Sequence, residues 1–318
     1  MILNKIKFNY YDNLLEKFIQ NNQSAEIKEI LLKLIKSNNT SYLNLIHKYL
    51  YILTEKEKFH KVFDKKLVWV NSFDIADCNY INTFISYVYQ QHHLNISSPK
   101  NYYEYLNEII AKFNLGSIHF SNLVDSSYLY QYLIGQLYQN DILVNSSSAF
   151  FESNLKRYFT HHSFTKFFIY VVKNPTKIYL KRKNQNLENP MHGFLSSHTD
   201  YLVRHKVQEN LTIEENIQNW STNVSSWTNS NVLSTFRGYI LKIEDLYNNP
   251  REILAEIIGN MIQAGVQVNL DYELIDHFLK EHPLPIEENQ SNTLSNKELK
   301  LFKRDLHDVA KKNNYSLD

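Results

Sequence analysis

Between residues 10 and 54 the apolar side chains recur three and four positions apart: Leu14, Leu15, Phe18 and Ile19, then Ile30, Leu31, Leu34 and Ile35, then Leu43, Ile46 and Leu50. That spacing lines one side of a 3.6-residue helix, and the interruptions at 21–24 and 37–41 supply Asn, Ser and Thr as caps for the next helix. The pattern predicts a leader of about sixty residues made of two or three amphipathic helices, without an internal repeat. At residue 66 the texture changes. Leu67-Val68-Trp69-Val70 is a short β-branched and aromatic run, followed by Asn71-Ser72 and a helix-like stretch over 80–89. Similar runs return at Ile142-Leu143-Val144, at Phe167-Phe168-Ile169-Tyr170-Val171-Val172 and at Gly238-Tyr239-Ile240-Leu241-Lys242-Ile243. Further helices are expected over 250–264 and 295–312. Short apolar strands alternating with helices predict an α/β fold, a mostly parallel central sheet with helices on both faces. In such a sheet ligands bind beyond the carboxyl ends of the strands, so the loops after Val70, Val144, Val172 and Ile243 carry the candidate chemistry. The expected division is a helical N-terminal extension, 1–63, and an α/β domain, 64–318.

Composition narrows the function classes. The 318 residues are 43% hydrophobic, enough to fill a core. Only six are glycine, which disfavours an architecture of several glycine-rich loops. Lys and Arg number 34 against 33 Asp and Glu, and a net charge of +1 gives no electrostatic case for duplex nucleic acid or an anionic membrane. The longest strongly apolar run, 167–172, is too short to span a bilayer. Cys78 is the one cysteine, and residues 1–11 lack the pattern of a secretory signal, so a cytoplasmic location is expected. Cys78 itself reads as a buried free thiol, since Asp74 and Asp77 oppose the helix start that would otherwise activate it. His92-His93 and His161-His162 are adjacent pairs that do not share a face, so no metal site is expected. Trp220 and Trp227, seven apart, share a helix face and read as core before they read as an aromatic platform.

Three segments carry a family resemblance. Ile169-Tyr170-Val171-Val172-Lys173-Asn174-Pro175 resembles the strand ending in Arg-Asn-Pro of the PAPS-dependent sulfotransferase family. Asn219-Trp220-Ser221-Thr222-Asn223-Val224-Ser225-Ser226-Trp227 is similar to that family's Trp-Ser-x-His-Val-x-x-Trp helix. Ile240-Leu241-Lys242-Ile243-Glu244-Asp245-Leu246-Tyr247-Asn248-Asn249-Pro250 is similar to its Tyr-Glu-Asp-Leu-x-x-x-Pro segment. They occur in family order, and Val68-Trp69-Val70-Asn71-Ser72-Phe73 falls where the family has the strand before its 5'-phosphosulfate loop. The match spans about 67–265 and leaves the leader uncovered. It implies a P-loop-type sulfotransferase fold and 3'-phosphoadenosine 5'-phosphosulfate (PAPS) as donor. The implied reaction is transfer of a sulfuryl group to a hydroxyl or amine of a small-molecule or glycan acceptor, without a metal. It also implies donor contacts at Asn79, Tyr80, Lys173 and Lys181.

The sequence departs from that family where the chemistry is concentrated. Asp74, Ile75, Ala76, Asp77, Cys78, Asn79 and Tyr80 stand where the family has Pro, Lys, Ser, Gly, a variable residue, Thr and Trp, and only the last two keep the chemical type. A phosphate cradle needs converging backbone N–H groups, glycine for close approach and a lysine for charge. Two carboxylates there would each repel an anion charge 4 Å away by about 4 kcal/mol at an effective dielectric of 20. Where most cytosolic members carry a Thr-His pair, this chain has Val144-Asn145-Ser146-Ser147-Ser148, and no catalytic base is assigned. His161 and His162 precede the next strand and reach the strand ends only if their loop folds over them. Lys173 replaces an arginine and keeps charge while losing the bidentate fork. Lys181 stands near the family's phosphate-binding serine. Together with Lys177, Arg182 and Lys183 it forms a basic stretch that also reads as a solvated helix face. The Arg-Lys-Gly loop is not recognisable over 283–297, and Ser196-Ser197-His198 imitates the base motif only after the Lys173-Asn174-Pro175 strand. Glu244 reads as a brace of the fold. Two functional readings remain: a sulfotransferase with reduced or lost activity, or a non-catalytic module of the same fold that binds a partner protein or another ligand. A P-loop kinase is disfavoured, since Gly-Lys-Ser/Thr occurs nowhere.

Overall fold

The computed structural model describes residues 2–37, 39–54, 56, 59, 62–73, 78–113, 123–146, 151–152, 157–158, 163–184, 213–230, 233–234, 237–285 and 293–315. Three helices open the chain, α1 (Ile2–Gln20), α2 (Ser24–Lys36) and α3 (Leu43–Thr54), with a short 3₁₀ turn at Thr40–Tyr42. Next come β1 (Leu67–Ser72), α4 (Cys78–Gln91), β2 (Lys100–Asn101), α5 (Tyr102–Phe113), α6 (Leu123–Leu137) and β3 (Ile142–Ser146). After the two-residue pair β4 (Phe151–Glu152) and β5 (Arg157–Tyr158) come β6 (Thr165–Val172), α7 (Pro175–Asn184), α8 (Ile213–Trp227) and β7 (Gly238–Lys242). The remainder is helical: α9 (Ile243–Asn248), α10 (Pro250–Gln263), α11 (Tyr272–Glu281) and α12 (Asn296–Lys312).

The central sheet has the order β2-β3-β1-β6-β7, and its four main strands are parallel and flanked by helices, the α/β architecture that the apolar runs predict. Every residue of β1 is buried, which accounts for its unbroken apolar sequence. β6 pairs with β7 in the register Phe168↔Gly238 through Val172↔Lys242. The strand expected to end at Ile243 ends at Lys242, and no loop succeeds it. α9 begins at once, because Glu244 and Asp245 suit the positive end of a helix better than a strand.

The chain forms two compact units. The first comprises residues 1–68, 96–144 and 157–166. In it the leader packs through α3 onto α6, burying Leu45, Ile46, Leu50 and Leu53 together with Leu129, Leu133 and Ile134. Each such side chain contributes roughly 1.5–3 kcal/mol by leaving water. The hydroxyl of Tyr49 donates to Asp12 Oδ1 at 2.5 Å and Lys48 Nζ donates to the same oxygen at 2.8 Å, tying α3 to α1. Lys28 pairs with Asp64 at 2.8 Å. Buried Tyr105 lies with its hydroxyl 2.6 Å from Ser97 Oγ, and that oxygen accepts the N–H of Leu143 at 3.1 Å.

The second unit comprises residues 69–95, 145–156 and 167–318. Phe167 to Val172, Trp69, Phe84, Leu241, Ile257, Ile258, Phe278 and Phe302 form its core. α12 packs on α8, and its start is fixed by a capping box in which Ser295 Oγ accepts from Glu298 N while Glu298 accepts from Ser295 N. α11 starts at Asp271, whose Oδ1 accepts from Glu273 N at 2.8 Å and Leu274 N at 3.3 Å. Phe278 of α11 meets Phe84 of α4 edge-on, the ring centroids 4.9 Å apart.

Candidate functional site

The strand order creates one distinguished position. From β1 the chain passes to β2, on the far side of β3, whereas from β6 it passes to β7 in the opposite direction. β1 and β6 are neighbours, so the chain leaves their carboxyl ends in opposite directions, and a crevice opens at such a switch point in a parallel sheet. The residues at those ends are Asn71, Ser72 and Phe73 after β1, Lys173 and Asn174 after β6, and Asn145 and Ser146 at the end of β3.

Unmatched buried amide atoms occur on β1, β3 and α4. Asn71 is 0% exposed, and neither its Oδ1 nor its Nδ2 has a hydrogen-bond partner. Asn82, on α4, is 1% exposed with both amide atoms equally unmatched, and Asn145 Oδ1 at the end of β3 is a third. A buried amide without partners costs about 1–3 kcal/mol, and such a cost is characteristically carried at functional positions.

The end of β6 is organised by a carboxylate. Glu244, in the first turn of α9, accepts the backbone N–H of Asn174 on Oε1 at 2.9 Å. The hydroxyl of Tyr315 lies 2.9 Å from Glu244 Oε2 and 3.1 Å from the carbonyl oxygen of Val172. Burial, then the neighbouring Glu244 carboxylate, push the Tyr315 hydroxyl pKa far up, so it stays a proton donor. Asn174 in turn caps α7, its Oδ1 accepting from Thr176 N at 2.9 Å. Glu244 therefore braces the turn that carries Lys173. Lys242 Nζ lies 4.7 Å from the Tyr315 ring centroid and donates to the carbonyl of Asn314 at 3.1 Å, which anchors the segment after α12. An anion at the start of α7 would find the Asn174 N–H already given to Glu244, so its attraction to this turn comes from the charge of half-buried Lys173.

Of the family-derived contacts, Lys173 stands directly after β6 at the switch point. Asn79 is exposed in the first turn of α4, and its carbonyl accepts from Thr83 Oγ1 at 3.0 Å. Tyr80 donates its hydroxyl to the carbonyl of His282 at 2.9 Å, and its ring packs edge-on against Phe278 at 5.5 Å, so its contacts are with α11 and the residue after it. Burial, and then nearby Tyr247, push its pKa up to about 12. Lys181 lies in the second half of α7. Asp74, Ile75, Ala76, Asp77, Ser147, Ser148, His161, His162 and the Ser196-Ser197-His198 motif lie outside the described residues.

Other sequence candidates have structural roles. Trp220 and Trp227 are 2% and 3% exposed, which makes that face of α8 core. Trp227 stacks on Tyr170 with ring centroids 5.7 Å apart, and Tyr170 donates to Asn223 Oδ1 at 2.5 Å. Complete burial, then the nearby Cys78 thiol, raise the Tyr170 pKa. Cys78 is buried and forms no disulfide. His92 has a ring nitrogen 2.9 Å from the carbonyl of Val88, and its Nε2 accepts the N–H of Asn269 at 3.1 Å. Among the described residues no group of three or more His, Cys, Asp or Glu side chains is placed to hold a metal ion. Among them, too, no helix is long and apolar enough to cross a membrane.

The structure adds three residues that sequence reasoning left unassigned: Asn71 in β1, Asn82 on α4, and Tyr315 against the end of β6. Asn82 carried a readable signal, an amide at a position otherwise filled by the apolar side of α4, between Ile81 and Ile85. Tyr315 carried none, since its partners lie 71 and 143 residues away. No protein-family model and no curated protein matches the chain.

Proposed function

We propose that this chain is a sulfotransferase-fold protein acting at the crevice beyond β1 and β6, with PAPS as donor and a hydroxyl- or amine-bearing small molecule or glycan as acceptor. The observation that carries the reading is the switch point between β1 and β6, where Phe73 and the Lys173–Asn174 turn follow neighbouring parallel strands. These are the two segments in which the family resemblance locates the 5'- and 3'-phosphate contacts. Lys173 would attract the 3'-phosphate as a point charge, with the Glu244 brace fixing its turn. In the reaction the acceptor oxygen or nitrogen bonds to sulfur and releases its proton to solvent, the bond between sulfur and the oxygen bridging it to the donor phosphate breaks, and adenosine 3',5'-bisphosphate leaves with that oxygen.

A second reading is favoured by Tyr80, whose hydroxyl and ring are engaged by His282 and Phe278. With no imidazole at Asn145 or Ser146 and no lysine at Ile75, the same crevice serves in this reading as a binding site without turnover. Calorimetric titration of the full chain with adenosine 3',5'-bisphosphate tests both. Binding at micromolar concentration, weakened at least tenfold by Lys173→Ala, is expected; no heat at high micromolar nucleotide overturns the donor assignment. Transfer of labelled sulfate from PAPS to a mixed acceptor panel then separates turnover from binding alone.

A further inference from the structure

The leader of the first unit contains an unassigned cleft of about 580 Å³, bounded by α1, α2 and the Thr40–Tyr42 turn. Its size lies within the range of small-ligand sites. The apolar wall is formed by Ile6, Tyr10 and Tyr11 of α1, Leu34 of α2 and Tyr42. Ile6 and Tyr10 are 63% and 61% exposed, although they occupy adjacent turns on one side of a helix whose Leu15 is fully buried. The rings are ordered against each other: Tyr11 meets Tyr42 edge-on at 5.7 Å, and Tyr10 meets Tyr11 at 5.4 Å.

The polar groups of the cleft are mostly donors. Lys7 and Lys33 both line it, and neither has a carboxylate partner among the described residues. The other polar residues are occupied locally: Ser37 Oγ donates to the Leu34 carbonyl at 2.6 Å, and Asn39 Oδ1 accepts from the N–H and hydroxyl of Ser41 at 3.0 and 2.7 Å. Among the described residues no acidic side chain lines the cleft. Two ammonium groups beside an aromatic and aliphatic wall fit one chemistry, an anionic head on an apolar body.

We propose that this cleft binds a small amphiphilic organic anion, an aromatic or aliphatic body carrying a carboxylate, sulfonate or phosphate, with the head between Lys7 and Lys33 and the body against Ile6, Tyr10 and Leu34. The inference is independent of the sulfotransferase reading, which concerns the strand ends of the other unit.

The probe is 8-anilinonaphthalene-1-sulfonate, an aromatic sulfonate whose fluorescence rises in apolar sites, compared with its uncharged analogue N-phenyl-1-naphthylamine. The full-length chain should bind the sulfonate 1:1 at micromolar concentration. The double variant Lys7→Gln/Lys33→Gln should weaken it at least tenfold while changing the uncharged analogue less than twofold, and Tyr10→Ala should weaken both. These side chains are exposed, and an unchanged far-ultraviolet circular dichroism melt verifies that the leader stays folded in each variant. Sulfonate affinity within twofold of the parent in the double variant, or indifference of both dyes to Tyr10→Ala, overturns the proposal. Sedimentation with phosphatidylglycerol vesicles that requires Lys7 and Lys33, without any lysine effect on the dye, also overturns it and assigns the face to a lipid surface.

Discussion

Gly238 illustrates how one residue can be fixed by a partner across the sheet. It opens β7 opposite Phe168, and a Cβ at this position would collide with the Phe168 ring. That ring is fully buried and packs edge-on against Trp227 at 4.8 Å, so it has nowhere to retreat. Gly238→Ala is therefore expected to destabilise the chain by about 1–3 kcal/mol, the usual cost of overpacking a core, read from the urea midpoint. An unchanged midpoint would mean that Phe168 adopts another rotamer. The glycine could be read from sequence as the start of a strand, but its reason could not, because the partner lies 70 residues earlier. The same limit applies to Tyr170, whose apolar strand context was evident and whose hydrogen bond to Asn223 was not.

Among the elements, α1 and α3 are joined by a charged cluster with a readable acid dependence. Burial raises the Asp12 pKa, but hydrogen bonds from Lys48 and Tyr49 and the Lys48 charge outweigh it and hold the carboxyl below its ordinary value. A carboxyl depressed in the folded state contributes stability above its unfolded pKa, near 3.9, and loses it as pH falls through the folded pKa. Stability of the chain should thus fall on acidification below about pH 4, and Asp12→Asn should flatten that limb of the profile while lowering stability at pH 7. Tyr49→Phe, which removes the hydroxyl donated to Asp12, should cost about 1–2 kcal/mol at neutral pH. An acid limb unaltered by Asp12→Asn would assign it to other carboxylates. The three leader helices were legible because their apolar spacing is regular and their caps are polar. α5 and α6 were not, since tyrosines at 102, 103, 105, 128, 130 and 132 interrupt the apolar period in the sequence. α11 was legible in principle, with Asp271 as cap and Ile275 and Phe278 three apart, both buried.

For the whole molecule, alternation of short apolar runs with helices was sufficient to announce a parallel sheet, whereas strand order was not encoded in any local pattern. Order is decided by which crossovers bury both sheet faces, and it is order that makes β1 and β6 neighbours at a switch point. The buried amide of Asn71 was invisible for a related reason: it looks like the first polar residue of a loop, yet it is the fifth residue of a fully buried strand. Leaving it unpaired lowers global stability, so removing the amide should raise it. Asn71→Leu, which keeps the branch at Cγ and puts methyl groups in place of both amide atoms, is expected to gain about 1–2 kcal/mol in the nucleotide-free chain, measured as an increased urea midpoint with unchanged slope. If the crevice binds adenosine 3',5'-bisphosphate, ten times its dissociation constant adds about 1.4 kcal/mol to the parent by mass action. The same nucleotide concentration should add less to Asn71→Leu if the unpaired amide at the end of β1 is held for a partner that orders on binding. A chain made more stable and less responsive would identify Asn71 as a position held for binding. A loss of stability on removing the amide would mean that the side chain is already satisfied within the fold, and nucleotide binding at the crevice would then depend on Lys173 and its braced turn.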